Sequence, residues 1–229
     1  MHQSQHCPLC LTVCPSHEDE YFYRDRRRVY LRCHGCRLIF VPTEFHLAPA
    51  EEKAVYDLHD NRPDDPRYRT FLNRLYQPLI KRLTPAANGL DFGCGPGPAL
   101  AAMLQEAGFT VALYDVFYAP DQSPLTQTYD FITATEVVEH LRNPRLELQR
   151  LWRCLSEQGV LAIMTKLALE AKDFAGWHYK NDLTHVCFFS RETFDFLADC
   201  FSAQLEFVAD DVVLLYKKSQ CPINWQKTT

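Results

Sequence analysis

Beyond residue 88, short apolar runs alternate with stretches whose apolar residues recur every three or four positions. Residues 89–92, with Leu90 and Phe92, read as a short buried strand, and 99–107 as a helix that Gly108 ends. Residues 109–116 form a second strand and 129–135 (Tyr-Asp-Phe-Ile-Thr-Ala-Thr) another buried one. Leu146, Leu148, Leu151, Trp152 and Leu155 give residues 144–156 a helical period, which Gly159 stops before a strand over 160–165. Residues 166–190 are irregular, 191–200 form a last helix, and 204–209 with 212–217 read as a hairpin turning at Asp210-Asp211. Strands alternating with helices predict an α/β fold. Its Rossmann-like sheet is mostly parallel, is wound by right-handed crossovers and closes on an antiparallel hairpin.

Two segments precede this core. Residues 48–87 read as a helical connector: one helix over 50–60, a turn at Asn61-Arg-Pro-Asp-Asp-Pro66, then a helix over 68–83 carrying Phe71, Leu72, Leu75, Leu79, Ile80 and Leu83. Pro78 is expected to kink it. Tyr56, His59, Asn61 and Tyr68 are either caps over a ligand or, as the more ordinary reading, surface positions. Residues 1–47 look like a separate module and 219–229 like a loosely held tail.

Cysteine usage gives the N-terminal module its character. Of ten cysteines in 229 residues, four form the pairs Cys7-Pro-Leu-Cys10 and Cys33-His-Gly-Cys36. In a mid-sized chain without a basic or apolar leader at its N-terminus, four such thiols suit a tetrahedral structural zinc (a zinc-ribbon-like module) better than disulfides. A redox Cys-x-x-Cys and unrelated free thiols are the alternatives, and Cys14, His6 and His34 are spare donors. Arg24, Arg26, Arg27, Arg28, Arg32 and Arg37 suggest a phosphate surface. Glu18, Asp19, Glu20, Asp25 and Glu44 nearly balance them, which favours a solvated hairpin face.

The most specific stretch is Gly89-Leu-Asp-Phe-Gly-Cys-Gly-Pro-Gly-Pro98, a strand that breaks into glycines and runs into a helix. Such a turn lets the backbone approach a ligand with no Cβ in the way and points helix-start N–H groups at it. Asp115 closes the next strand, and Glu136-Val-Val-Glu-His140 sits at the exit of the following one. All three fall at carboxyl ends of strands, where such sheets bind ligands.

These residues resemble the class I S-adenosylmethionine-dependent methyltransferases, in the ubiquinone-type methylase group, over roughly residues 85–218. Asp91-Phe-Gly-Cys-Gly-Pro-Gly97 looks like their first motif, Asp115 like their ribose-binding acid, and Glu136-Val-Val-Glu-His140-Leu like the exit of their fourth strand. The resemblance implies that the amides of Gly93, Cys94, Gly95 and Gly97 line the cofactor's amino-acid and ribose portion. It also implies that Asp115 accepts from both ribose hydroxyls, that Asp91 orders the loop or meets the cofactor ammonium, and that Thr135 and Glu136 border the methionine part. The span from Asp115 to Tyr129, with Pro120 and Pro124, has no room for the family's third strand and its helix, so a trimmed sheet edge is expected. A nicotinamide-dependent dehydrogenase is the rival for the glycine loop, but Pro98 stands where its fingerprint has glycine or alanine.

His140 and His185 are the candidate general bases, because imidazole titrates near neutral pH. His178 and Trp177 are candidate neighbours in the same pocket. The net charge of −5 argues against an RNA substrate. No apolar run is long enough to span a bilayer, and a cytoplasmic location is expected. The favoured expectation is methyl transfer to the O or N of a small molecule. The alternatives are an RNA or protein methyltransferase that uses the zinc module for recognition, and a non-catalytic cofactor-binding scaffold.

Overall fold

A computed structural model of the chain describes residues 5–14, 21–58, 61–218 and 223–225. The central sheet contains β6 (Asn88–Phe92), β7 (Thr110–Tyr114), β8 (Tyr129–Thr135), β9 (Leu155–Met164), β11 (Gln204–Ala209) and β12 (Val212–Tyr216). Their order is β11-β12-β9-β8-β6-β7. The four strands from β7 to β9 pair in parallel, while β12 runs antiparallel to β9 and β11 antiparallel to β12. This is the expected α/β sheet with its reversed C-terminal hairpin.

Alternation along the strands feeds two apolar layers. Phe131, Ala162, Met164, Val212 and Leu214 face one side, where α2 (Pro66–Ile80) supplies Leu72, Leu75 and Leu79 and α3 (Ala99–Glu106) supplies Leu100, Met103 and Leu104. Ile132, Leu161, Ile163, Val213 and Leu215 face the other, against Leu148, Leu151 and Trp152 of α4 (Pro144–Cys154) and Phe194, Leu197 and Phe201 of α6 (Arg191–Phe201). The helix α1 (Pro49–Tyr56) precedes α2, which continues through Pro78 for two residues.

Between β7 and β8 there is only a 3-10 turn, Ser123–Thr126, so β7 is the sheet edge and the third strand is trimmed as expected. Helix ends shift, α1 stopping at Tyr56 and α2 at Ile80 instead of 60 and 83, and one stretch changes type. The helix over 144–156 ends at Cys154, and β9 begins at once, pairing Leu155 with Tyr129 before it bulges and resumes at Val160 opposite Phe131. The bulge turns at Gln158 (φ +65°), so Gly159 lies inside the strand instead of ending the helix.

The N-terminal segment contains β1 (Gln5–His6), β2 (Val13–Cys14), β3 (Tyr23–Arg24), β4 (Val29–Arg32) and β5 (Ile39–Phe40). The stretch over 166–190, read as irregular, holds a turn of helix, α5 (Ala171–Phe174), a 3-10 turn at His178–Asn181 and the short strand β10 (Cys187–Phe188). That strand leaves the central sheet and pairs with β5, Cys187 opposite Phe40 and Phe188 opposite Ile39. The resulting four-stranded sheet, β10-β5-β4-β3, shares the apolar layer of α4 and α6. Arg28 also departs from the solvated-face reading: it is only 2 % exposed.

Candidate functional site

Strands β6, β7 and β8 end side by side, and the loops leaving them open onto one cleft of about 730 Å³. Gly93 and Gly95 lie there at φ +73° and +65°, the left-handed region that glycine enters without strain. Gly97 is tight for a different reason. A Cβ on it would stand 2.2 Å from the carbonyl oxygen of Asn61, which itself lines the cleft.

Asp115 locks the turn in place. Its Oδ2 accepts from the Gly95 amide at 3.0 Å, and its Oδ1 accepts from the amides of Phe117 at 2.8 Å and Tyr118 at 3.1 Å. Asp91 lies beneath the loop, almost fully buried, and accepts from Thr133 Oγ1 at 2.7 Å. Burial, reinforced by the Asp115 charge, pushes its carboxyl up to about 6. Of the eight expected cofactor contacts, Gly93, Cys94, Gly95, Asp115, Thr135 and Glu136 line the cleft, whereas Asp91 and Gly97 shape the loop from behind.

The exit of β8 builds the other side. Glu136 has φ +53°, an arrangement that costs a side-chain-bearing residue roughly 1–2 kcal/mol. The amide of Glu136 is held by Met164 O at 2.8 Å. Beside it, the buried Thr135 Oγ1 has no hydrogen-bond partner among the described residues. The Tyr179 hydroxyl lies between the carboxylates of Glu136 (3.3 Å) and Glu139, and Thr165 Oγ1 donates to the second Glu139 oxygen at 3.0 Å. Burial raises Glu136 to about 7 despite nearby Lys166, and burial plus the Glu136 charge raises Glu139 to about 8.

His140 and His185 are brought together at the far end, with ring centroids 4.7 Å apart. His140 Nδ1 faces Thr184 O at 3.2 Å and His185 Nδ1 faces Tyr179 O at 2.7 Å. Each carbonyl needs a proton on the nitrogen it meets, so in the neutral rings Nε2 carries the lone pair. Burial, then His185, drives His140 down to about 3, which keeps it neutral at physiological pH. Asp182 Oδ2 lies 3.8 Å from His185 Nε2. The Thr184 amide and hydroxyl hold the Asp182 carboxyl below its usual range, against the effect of its burial.

Several neighbours differ from expectation. Tyr56, Asn61 and Tyr68 line the cleft and are not simple surface positions; the Tyr56 ring packs on His140 at 5.2 Å. Pro49, Glu52 and Tyr56 follow one helical face of α1, a spacing legible in the sequence once the direction of that face is known. His59 lies outside the described residues. Trp177 and His178 do not line the cleft: Trp177 packs on Tyr179, and His178 Nε2 meets Lys166 Nζ at 2.8 Å.

A second cluster sits in the N-terminal segment. The sulfurs of Cys7, Cys10, Cys33 and Cys36 all lie within 4.8 Å of one another. Each pair is followed by a residue at positive φ, Leu11 at +65° and Arg37 at +62°, which turns the chain so that both sulfurs point inward. Among the spare donors, Cys14 Sγ turns to Thr12 O and His6 Nδ1 to Leu11 O, while His34 is exposed.

A family model described as a methyltransferase domain matches residues 66–201. No curated protein matches the chain in sequence. Among solved structures, the chain is similar to the 1,6-didemethyltoxoflavin N1-methyltransferase of Burkholderia thailandensis, solved with 1,6-didemethyltoxoflavin and S-adenosylhomocysteine. The identity is 16%, 87% of this chain and 100% of that one are covered, and the TM-score is 0.48. It is also similar to human N-acetylserotonin methyltransferase in complex with SAM (14% identity, 75% of this chain, 61% of that one, TM-score 0.49). The PH0226 protein of Pyrococcus horikoshii is a third (14%, 72% and 99%, TM-score 0.47). Likenesses this distant carry no argument about the acceptor. The family match spans more than half of the chain, which therefore belongs to the methyltransferase domain family.

Proposed function

We propose that the protein transfers a methyl group from S-adenosylmethionine to an oxygen or nitrogen of a small molecule. One observation carries this reading: a single cleft holds the glycine turn with Asp115 at one end and the His140–His185 pair at the other. Its volume of about 730 Å³ suits a cofactor with a modest acceptor beside it.

The residues fit the cofactor. Asp115 has used one lone pair of Oδ2 and two of Oδ1 on backbone amides, and Oδ2 keeps acceptor capacity for ribose hydroxyls. Thr135 Oγ1 is the kind of orphaned buried group that a ligand satisfies. Val116 and Phe117 give an apolar wall beside Asp115 for the adenine, the contact left open by the sequence. Asp91, below the loop, offers a negative charge toward the cofactor ammonium.

When bound, the cofactor supplies a methyl group already activated as a sulfonium. The chain supplies alignment, exclusion of water and an acceptor for the proton. His185 is the general-base candidate, with Nδ1 engaged and Nε2 carrying the lone pair that takes up a proton, whereas His140, held at about 3 by burial and by His185, is too weak a base for that role and packs beside it as a neutral ring. The four thiols suit a tetrahedral structural zinc, held by Cys7, Cys10, Cys33 and Cys36.

Calorimetric titration of S-adenosylmethionine, S-adenosylhomocysteine and NAD into purified protein tests the cofactor assignment. Micromolar binding of the first two, with none of NAD, supports it. Absence of binding by folded protein removes it and returns the chain to a scaffold role.

A further inference from the structure

We propose that Arg28 is a positioning residue for the acceptor half of the cleft. Its guanidinium, rooted in the N-terminal segment, clamps the loop that carries Asp182 and His185. The inference rests on the acceptor-side reading of His185 given above.

Arg28 reaches across to a distant part of the chain. Its Nη2 donates to Lys180 O at 2.6 Å and to Asp182 O at 2.8 Å, its Nη1 to Leu183 O at 3.2 Å, and its Nε to Tyr30 Oη at 2.9 Å. Three backbone carbonyls of one loop are thus tied to one rigid fork, a task suited to the planar guanidinium and not to a lysine. Tyr30, fully buried, extends the clamp by donating to Asp25 Oδ2 (3.1 Å), and Lys180 Nζ also meets that oxygen at 3.4 Å. The fork is engaged at all three nitrogens, each on a neutral oxygen.

The other end of the same loop is tied to the same segment. Val41 N donates to Val186 O at 2.9 Å, and β5 pairs with β10 directly afterwards. Val186 N in turn donates to Glu139 O at 2.8 Å, next to His140. His185 therefore lies between two attachments to the N-terminal segment, Arg28 before it and β5 after it. Cys33 directly follows β4, which starts at Val29, so the thiol cluster is joined to Arg28 by one short strand. The N-terminal segment thus acts as the back wall of the acceptor site, and no docking role for a macromolecule is needed to explain its place.

The test uses the full chain with Arg28→Met, Arg28→Lys and Tyr30→Phe. Three readouts are compared with wild type: S-adenosylhomocysteine affinity by calorimetry, hydrogen exchange of amides 180–186, and imidazole 15N spectra of His185. A fourth is methyl transfer from labelled S-adenosylmethionine into a small-molecule cell extract. Arg28→Met should leave S-adenosylhomocysteine affinity within about threefold, because the cofactor half is untouched. Loop exchange should quicken roughly ten- to hundredfold as one buried and two half-buried carbonyls lose their donor. The His185 spectrum should lose its single Nδ1–H tautomer, and turnover should fall at least about tenfold. Arg28→Lys should recover only part of this, and Tyr30→Phe should show the same changes in milder form.

Unchanged loop exchange and an unchanged His185 spectrum in a folded Arg28→Met protein would overturn the proposal. A parallel fall in S-adenosylhomocysteine affinity would do so too, since Arg28 would then act on the whole fold. If Arg28→Met does not fold, the same readouts in the other two variants decide. Absence of S-adenosylhomocysteine binding by wild type would instead strike the methyltransferase reading and leave the loop readouts to judge Arg28.

Discussion

The Asp115 carboxylate accepts a hydrogen bond from the Gly95 amide at 3.0 Å, so the acid ending one strand is fastened to the glycine turn ending its neighbour. Asp115 thus both shapes the loop and faces the ligand. Replacing it with alanine should remove charge-assisted bonds to the ribose and loosen the turn together. The expected loss is at least about a hundredfold in S-adenosylhomocysteine affinity, read by calorimetry. A loss of only a few fold would mean that the ribose is held elsewhere.

Thr135 offers a cleaner separation of binding from stability. Its hydroxyl is buried without a partner among the described residues, so Thr135→Val should leave the melting temperature of the free protein unchanged or higher. Cofactor affinity should fall roughly three- to thirtyfold if the hydroxyl bonds the ligand. Paired thermal melts with and without S-adenosylhomocysteine distinguish the two effects, and equal affinity in both proteins would remove Thr135 from the site.

The glycine turn should tolerate alanine unequally. At Gly95 a Cβ meets open space, and the cost is that of a positive φ, about 1–2 kcal/mol. At Gly97 the Cβ would sit 2.2 Å from the Asn61 carbonyl, so the backbone before α2 must move. Gly97→Ala should therefore lower both stability and cofactor affinity more than Gly95→Ala. Denaturant titration of the two variants checks the order.

The buried acids make stability pH-dependent in a defined direction. Asp91, Glu136 and Glu139 are raised to about 6, about 7 and about 8 from their ordinary values of 3.8, 4.5 and 4.5. A raised carboxyl contributes stability that is fully present below its unfolded pKa and is lost as pH rises through the folded value. The ligand-free protein should thus lose stability between about pH 6.5 and pH 8, above the range in which His140, held at about 3, contributes the opposite slope. Glu139→Gln should flatten the upper part of that decline, with the difference from wild type growing by more than about 1 kcal/mol between pH 6 and pH 9. A wild-type curve that rises over this range would contradict the burial of these charges.

The thiol cluster should report itself by metal content. Purified protein is expected to carry about one zinc per chain, measured by elemental analysis, and Cys33→Ser should release it. Cys33 and Cys36 belong to the apolar layer that also contains Trp152, Phe188 and Phe194. Metal loss should therefore lower the melting temperature of the whole chain in one transition. An early, separate unfolding of the N-terminal segment would show that the two parts are independent.

Much of the fold is legible in local pattern because local physics decides it. The span 129–135 reads as a strand from its apolar run and is β8 in the structure, and the last hairpin falls within a residue of expectation. Glycine spacing gives the turn its place, and two prolines in a short span give the missing third strand. The bulge at 156–159 is not legible in the same way, because Gly159 is an equally good helix stop; the pairing of Leu155 with Tyr129 across the sheet makes it a strand.

The sequence by itself determined the parts whose chemistry is local: the glycine turn with its acid, the paired thiols and the α/β alternation. Tertiary structure decided what depends on neighbours far along the chain. Arg28, one arginine among six, is a buried clamp because the loop over 180–183 supplies the carbonyls that satisfy its charge, some 150 residues away. The residues 187–188 form a strand because β5 offers an open edge, and Tyr56 faces the cleft because α1 packs that way. Charge burial and strand edges are satisfied by partners in space, and a linear pattern does not name them.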